Sequence, residues 1–131
     1  MISWLEKNKV VPWTITIFIF AFIFYISSLS FPQQLPGPPS ITAAVYHISA
    51  FFLLAIFIFI SALNRKWDSK KIVLSVFIAI VYAGLDELHQ YFVPGRFTSF
   101  SDFLLDMNGM IFASLVYFIL IEIKTRNHNF I

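Results

Sequence analysis

The chain has 131 residues, 59% of them hydrophobic and 12% charged, where soluble domains carry about 25% charged residues. A mean hydropathy of +0.81 and 17 phenylalanines exclude a water-covered globule and fit long lipid-facing segments. The net charge of +2 is too small to argue for nucleic acid, and the lack of cysteine excludes disulfides, thiolate nucleophiles and thiolate metal sites, so any metal would rest on His and carboxylate ligands.

The first apolar run predicts a spanning helix over about residues 11–31, because about 20 residues at about 1.5 Å each cross a hydrocarbon core about 30 Å thick. Lys7 and Lys9 precede it as in a signal peptide. The run exceeds a signal-peptide core and no A-x-A site follows, so an uncleaved anchor is expected. Pro32, Pro36, Pro38 and Pro39 then make Phe31 to Ser40 an extended linker, since proline lacks the amide donor and clashes with a preceding helical turn.

A second helix is predicted over about residues 43–63, followed by a basic turn that holds Arg65, Lys66, Lys70 and Lys71. The third covers about residues 72–92 and ends at Val93-Pro94-Gly95, where Pro fixes one dihedral and Gly permits a positive one. The fourth covers about residues 101–122, and Ser99-Phe100-Ser101-Asp102 has the S-x-x-D spacing of a capping box. Eight of the nine Lys and Arg residues fall in the N-terminus, the central turn and the C-terminus. With four crossings these segments share one side, and the positive-inside rule makes that side cytoplasmic. Residues 1–131 are therefore read as one all-α domain, an integral membrane bundle of four transmembrane helices with both termini cytoplasmic (N-in, C-in), multi-pass in the cell membrane.

The expected chemistry lies at the outer mouth of helices three and four. On a wheel of about 100° per residue, Ser75, Ala79, Ala83 and Gln90 fall within about 60° of Asp86, with Glu87 about 100° away. Leu74, Phe77, Ile78, Val81, Leu85, Leu88 and Phe92 lie opposite, toward lipid. Helix four puts Asp102, Asp106, Gly109 and Ala113 on one face, and the two small-residue stripes are expected to form the contact between helices three and four. Helix two aligns Ala43, His47, Ala50 and Leu54 more weakly. Asn108 falls off the stripe and has no geometric role.

An antiparallel hairpin would bring Asp86, Glu87, Asp102 and Asp106 together with Arg96 as the only nearby cation, leaving three uncompensated negative charges. Charge at membrane depth costs about 2.5 to 3.5 kcal/mol at mid-bilayer. The cluster therefore calls for protonated carboxyls, a bound cation or a cationic ligand. Asp86 and His89, at the stripe's edge, are expected to be paired or solvated structural residues, and Ser27, Ser28 and Ser30 to bond carbonyls of their own helix.

The run Asp86-Glu87-Leu88-His89-Gln90-Tyr91-Phe92-Val93-Pro94-Gly95-Arg96, followed by Ser99, Asp102 and Asn108-Gly109, resembles the D-E-x-x-Q, P-G-R and S-x-x-D series of the VanZ-like membrane protein family. That family is named for an accessory determinant of resistance to the glycopeptide antibiotic teicoplanin. Ser27-Ser28 and His47 are similar to its weaker N-terminal features. Ala43 and Ala44 depart from the Asp-Lys pair the family often carries before that His.

The resemblance implies an outward-facing cell-envelope function and leaves two classes open. In the first, Arg96, Gln90, Asp106, Ser99 and Asn108 bind a lipid headgroup, a cell-wall precursor or a lipoglycopeptide. In the second, an intramembrane enzyme acts on a lipid-linked envelope substrate, with Glu87 or Asp102 as general base and His47 as proton relay. Transport is disfavoured because no polar residues matching the outer cluster are seen in the inner halves of the helices. No nucleotide loop, H-E-x-x-H, G-x-S-x-G or thiol centre is present, so no particular cofactor or metal is implied.

Overall fold

A computed structural model describes residues 4–5, 8–30, 39–63, 67–96 and 99–128. Four long helices, α1 (Val10–Ser27), α2 (Ile41–Leu63), α3 (Ser69–Tyr91) and α4 (Phe100–His128), form the bundle, and Trp4 and Leu5 before them are also helical. Each is long and apolar enough to cross a membrane, α4 over Phe100–Ile123. The all-helical membrane bundle expected from the sequence is thus the fold. The prolines at 32, 36 and 38 and the basic residues Arg65 and Lys66 lie outside the described residues.

Helix boundaries follow local capping chemistry more closely than apolar runs do. Helix α3 begins three residues earlier than its apolar run because Asp68, in an extended conformation, accepts from the amides of Lys70 and Lys71 at 3.1 and 3.2 Å. The Ser40 hydroxyl likewise accepts from the Ala43 amide at 3.1 Å and starts α2 at Ile41. Helix α1 stops at Ser27, before the end of its apolar run, and α4 continues past Glu122 to His128. Between α3 and α4, the Arg96 amide donates to the Val93 carbonyl at 3.2 Å, and Gly95 has φ of 81°. This is the turn in which Pro precedes a residue of positive φ, a conformation that glycine adopts without penalty.

Helix α2 is the spine of the bundle. It packs most extensively on α4 and also touches α1 and α3, whereas α3 meets α4 over a smaller area. Phe51, Leu54, Ala55, Ile58, Phe59, Ile60 and Leu63 of α2 are buried, together with Ile23, Ala79, Ala83, Met110, Ala113 and Tyr117. The small-residue stripe on α4 therefore serves a different neighbour from the one expected. A Cβ on Gly109 would meet the backbone of Ile48 and Phe52 in α2, because the glycine lets those two helices touch backbone to backbone. On α3 the expected faces hold: Ser75, Ala79, Ala83, Asp86 and Gln90 are buried, and Leu74, Phe77, Ile78, Val81, Leu85, Leu88 and Phe92 are exposed.

Candidate functional site

The polar residues at the α3–α4 turn end of the bundle separate into two groups. In the first, Asp86 sits between α3 and α1. Its Oδ1 accepts the Ser27 hydroxyl at 2.6 Å and its Oδ2 accepts Nε2 of Gln90, one turn on, at 2.8 Å. Gln90 Nε2 also lies 3.5 Å from the Ser27 hydroxyl. All three side chains are buried, so each satisfies a polar group that would otherwise be stranded away from water. Nearby, His89 Nε2 lies 2.9 Å from the Ser28 hydroxyl, which donates to the Phe24 carbonyl at 2.7 Å.

Arg96 completes this first layer. Its Nε donates to the Leu29 carbonyl at 3.1 Å and a terminal nitrogen to the Ile26 carbonyl at 2.5 Å. These are carbonyls at the C-terminal end of α1, where helical acceptors lack partners and the helix dipole favours a cation.

The second group lies between α2, α3 and α4. Nδ1 of His47 and Oδ1 of Asp106 are 2.8 Å apart, with His47 5% and Asp106 0% exposed. Glu87 is half-buried beside them, and one ligand-capable atom from each of His47, Glu87 and Asp106 lies within 4.8 Å of the others. Glu87 also reaches α4: its Oε2 accepts the Ser99 amide at 3.4 Å. Ser99 Oγ accepts from the Ser101 amide at 3.1 Å, so the cap forms on the serine side, while the carboxylate that reaches the serine's amide comes from α3. Asp102, expected to close that box, is half-buried with Oδ1 lacking a hydrogen-bond partner.

Beside Glu87 a groove of about 420 Å³ opens on the side of the bundle, lined by Leu88, Tyr91, Ser99, Phe100 and Phe103. Leu88, Tyr91 and Phe100 are exposed on the apolar flank.

The family model described as VanZ/LLP1 matches residues 5–121. The chain belongs to the VanZ/LLP1 family. No match was found among curated proteins or solved structures.

Within this VanZ-family chain, the series that carries the likeness is divided by the fold. Asp86, Gln90 and Arg96 are bound to the end of α1, whereas Ser99, Asp102, Asp106 and His47 gather around Glu87, which with Ser99 lines the groove. Asn108 lies apart from both, exposed and donating to the Leu104 carbonyl of its own helix at 2.8 Å. One expectation is corrected and one participant escaped the sequence reading. Ser27 bonds across to α3 rather than to its own helix, and the buried hydroxyl of Tyr46 has no hydrogen-bond partner. Tyr46 has Asp86, Arg96 and Asp106 as electrostatic neighbours. A tyrosine near a helix end reads as an interfacial anchor, so only its adjacency to His47 could have drawn attention to it.

Proposed function

We propose that this VanZ-family protein binds a lipid-linked molecule of the cell envelope at the outer face of the cell membrane. The groove beside Glu87 is the observation that supports this reading. Its volume is that of a ligand pocket, about 300 to 1,000 Å³. Leu88, Tyr91, Phe100 and Phe103 offer apolar walls for a hydrocarbon chain, and Glu87 and Ser99 offer a polar end for the headgroup. A lipid headgroup, a cell-wall precursor or a lipoglycopeptide has this division into apolar chain and polar head. The carboxylate favours a cationic or hydrogen-bond-donating head.

Outward placement rests on the sequence positions of eight of the nine Lys and Arg residues, in the N-terminal, central and C-terminal segments that four crossings put on the side away from the α3–α4 turn. Both termini are then cytoplasmic. Arg96 supports the groove indirectly by tying the turn to α1.

The test is binding of fluorescent lipid-linked probes to the purified protein in detergent. Saturable binding should weaken in Glu87→Gln and in Phe103→Ala and stay unchanged in Leu74→Ala, which is on the far face of α3. Equal binding by all four proteins overturns the reading.

The His47–Asp106 pair favours a second reading, in which a carboxylate orients an imidazole for proton transfer to a bound substrate. Sustained product formation from a lipid-linked substrate by the purified protein would select it over binding alone.

A further inference from the structure

Among the described residues, four buried side-chain oxygens have no hydrogen-bond partner: Tyr46 OH, Glu87 Oε1, Asp102 Oδ1 and Asp106 Oδ2. All four residues lie in the helix ends next to the α3–α4 turn, and three of the oxygens belong to carboxyl groups. Native structures rarely leave such groups unmatched, and where they do an ion, water or ligand is the usual explanation.

Asp106 carries the argument furthest. It is fully buried, one oxygen is held by His47 at 2.8 Å, and the other is unmatched. Glu87 repeats the arrangement, with Oε2 on the Ser99 amide and Oε1 unmatched. Each carboxylate is thus held through one oxygen and keeps the other unmatched.

We infer that His47, Glu87 and Asp106 form a divalent-cation site, which shares Glu87 with the groove. One imidazole nitrogen with two carboxylate oxygens suits zinc or a neighbouring transition ion better than calcium or magnesium, which favour all-oxygen shells. Two carboxylates also match the ion's double charge. Donors sharing one zinc at about 2.0 to 2.2 Å can be at most about 4.4 Å apart. The present span of up to 4.8 Å needs only a small side-chain adjustment. An ion bound at Nδ1 replaces the hydrogen bond to Asp106, and the neutral imidazole then carries its one proton on Nε2.

This site does not depend on the lipid reading, and its test uses no lipid. The full chain in detergent, stripped with a chelator, is titrated with Co²⁺ as a spectroscopic substitute for Zn²⁺. One equivalent should bind with visible absorption bands that Zn²⁺ abolishes. His47→Gln, Glu87→Gln and Asp106→Asn should each weaken binding about tenfold or more, while His89→Gln and Asp68→Asn bind as the parent does. Gel filtration and thermal unfolding identify a variant that fails to fold. If the buried positions do not tolerate change, half-buried Glu87→Gln decides. Absence of saturable binding up to millimolar Co²⁺, or unchanged affinity in Glu87→Gln, overturns the inference.

Discussion

Oδ1 of Asp86 accepts the Ser27 hydroxyl at 2.6 Å, and this contact ties α3 to the last turn of α1. These two helices otherwise touch little: the Tyr82 hydroxyl donates to the Phe20 carbonyl at 2.7 Å, Gln90 Nε2 lies 3.5 Å from the Ser27 hydroxyl, and His89 meets Ser28 at the end of α1. Removing the carboxyl strands both Ser27 and Gln90 in a buried site, and an unmatched buried group costs about 1 to 3 kcal/mol. Asp86→Ala should therefore destabilise the protein by about that much in detergent unfolding. Asp86→Asn keeps an acceptor for Ser27 and should cost less. Equal losses would show that the two hydrogen bonds contribute little.

Gly109 and Gly84 make a matched pair. A methyl group on Gly109 would collide with the Ile48 carbonyl oxygen and stand 2.9 Å from the Phe52 nitrogen, both backbone atoms that cannot swing aside. On Gly84 it would meet nothing within 4 Å. Gly109→Ala should force α4 away from α2 and lower the unfolding temperature sharply. Gly84→Ala should be neutral or stabilising, since alanine is favoured over glycine in a helix by about 1 kcal/mol. Unfolding of both variants by circular dichroism checks the contrast.

The sequence exposes the four spans and the lipid-facing side of α3 because both depend on apolar length and helical period, which are local properties. Seven of seven positions expected to face lipid on α3, from Leu74 to Phe92, are exposed. Partner choice depends on how helices are arranged around one another, which the period of one helix does not encode. Gly109 marked a close helix contact correctly, yet the reading pointed to α3 in place of α2. In the same way the wheel placed Asp86 and Glu87 in one cluster, whereas an angular step of about 100° sends Asp86 to α1 and Glu87 to α4.

Arg96 gives a test of the α1 connection. Its Nε and a terminal nitrogen reach carbonyls three residues apart, Leu29 and Ile26, which requires the spread of a guanidinium. Arg96→Lys keeps the charge near the helix end but offers one ammonium in place of two separated nitrogens. It should retain part of the stability lost in Arg96→Ala, a loss of about 1 to 2 kcal/mol if the helix-end interaction dominates. If lysine restores full stability, charge alone is sufficient and the fork geometry is not needed.

The orientation of the bundle decides whether the groove meets the outside of the cell. Ser40 precedes α2 and Lys70 lies in the first turn of α3, so one span separates them, and both are exposed. The chain contains no cysteine, which makes single replacements unambiguous. In intact cells an impermeant thiol reagent should label Ser40→Cys and leave Lys70→Cys unlabelled until the membrane is permeabilised. Labelling of both positions from one side would contradict a crossing by α2. Labelling of Lys70→Cys alone would keep the four spans but turn the bundle over, placing Glu87, His47 and Asp106 at the cytoplasmic face, where an extracellular antibiotic or exported cell-wall precursor could not reach them.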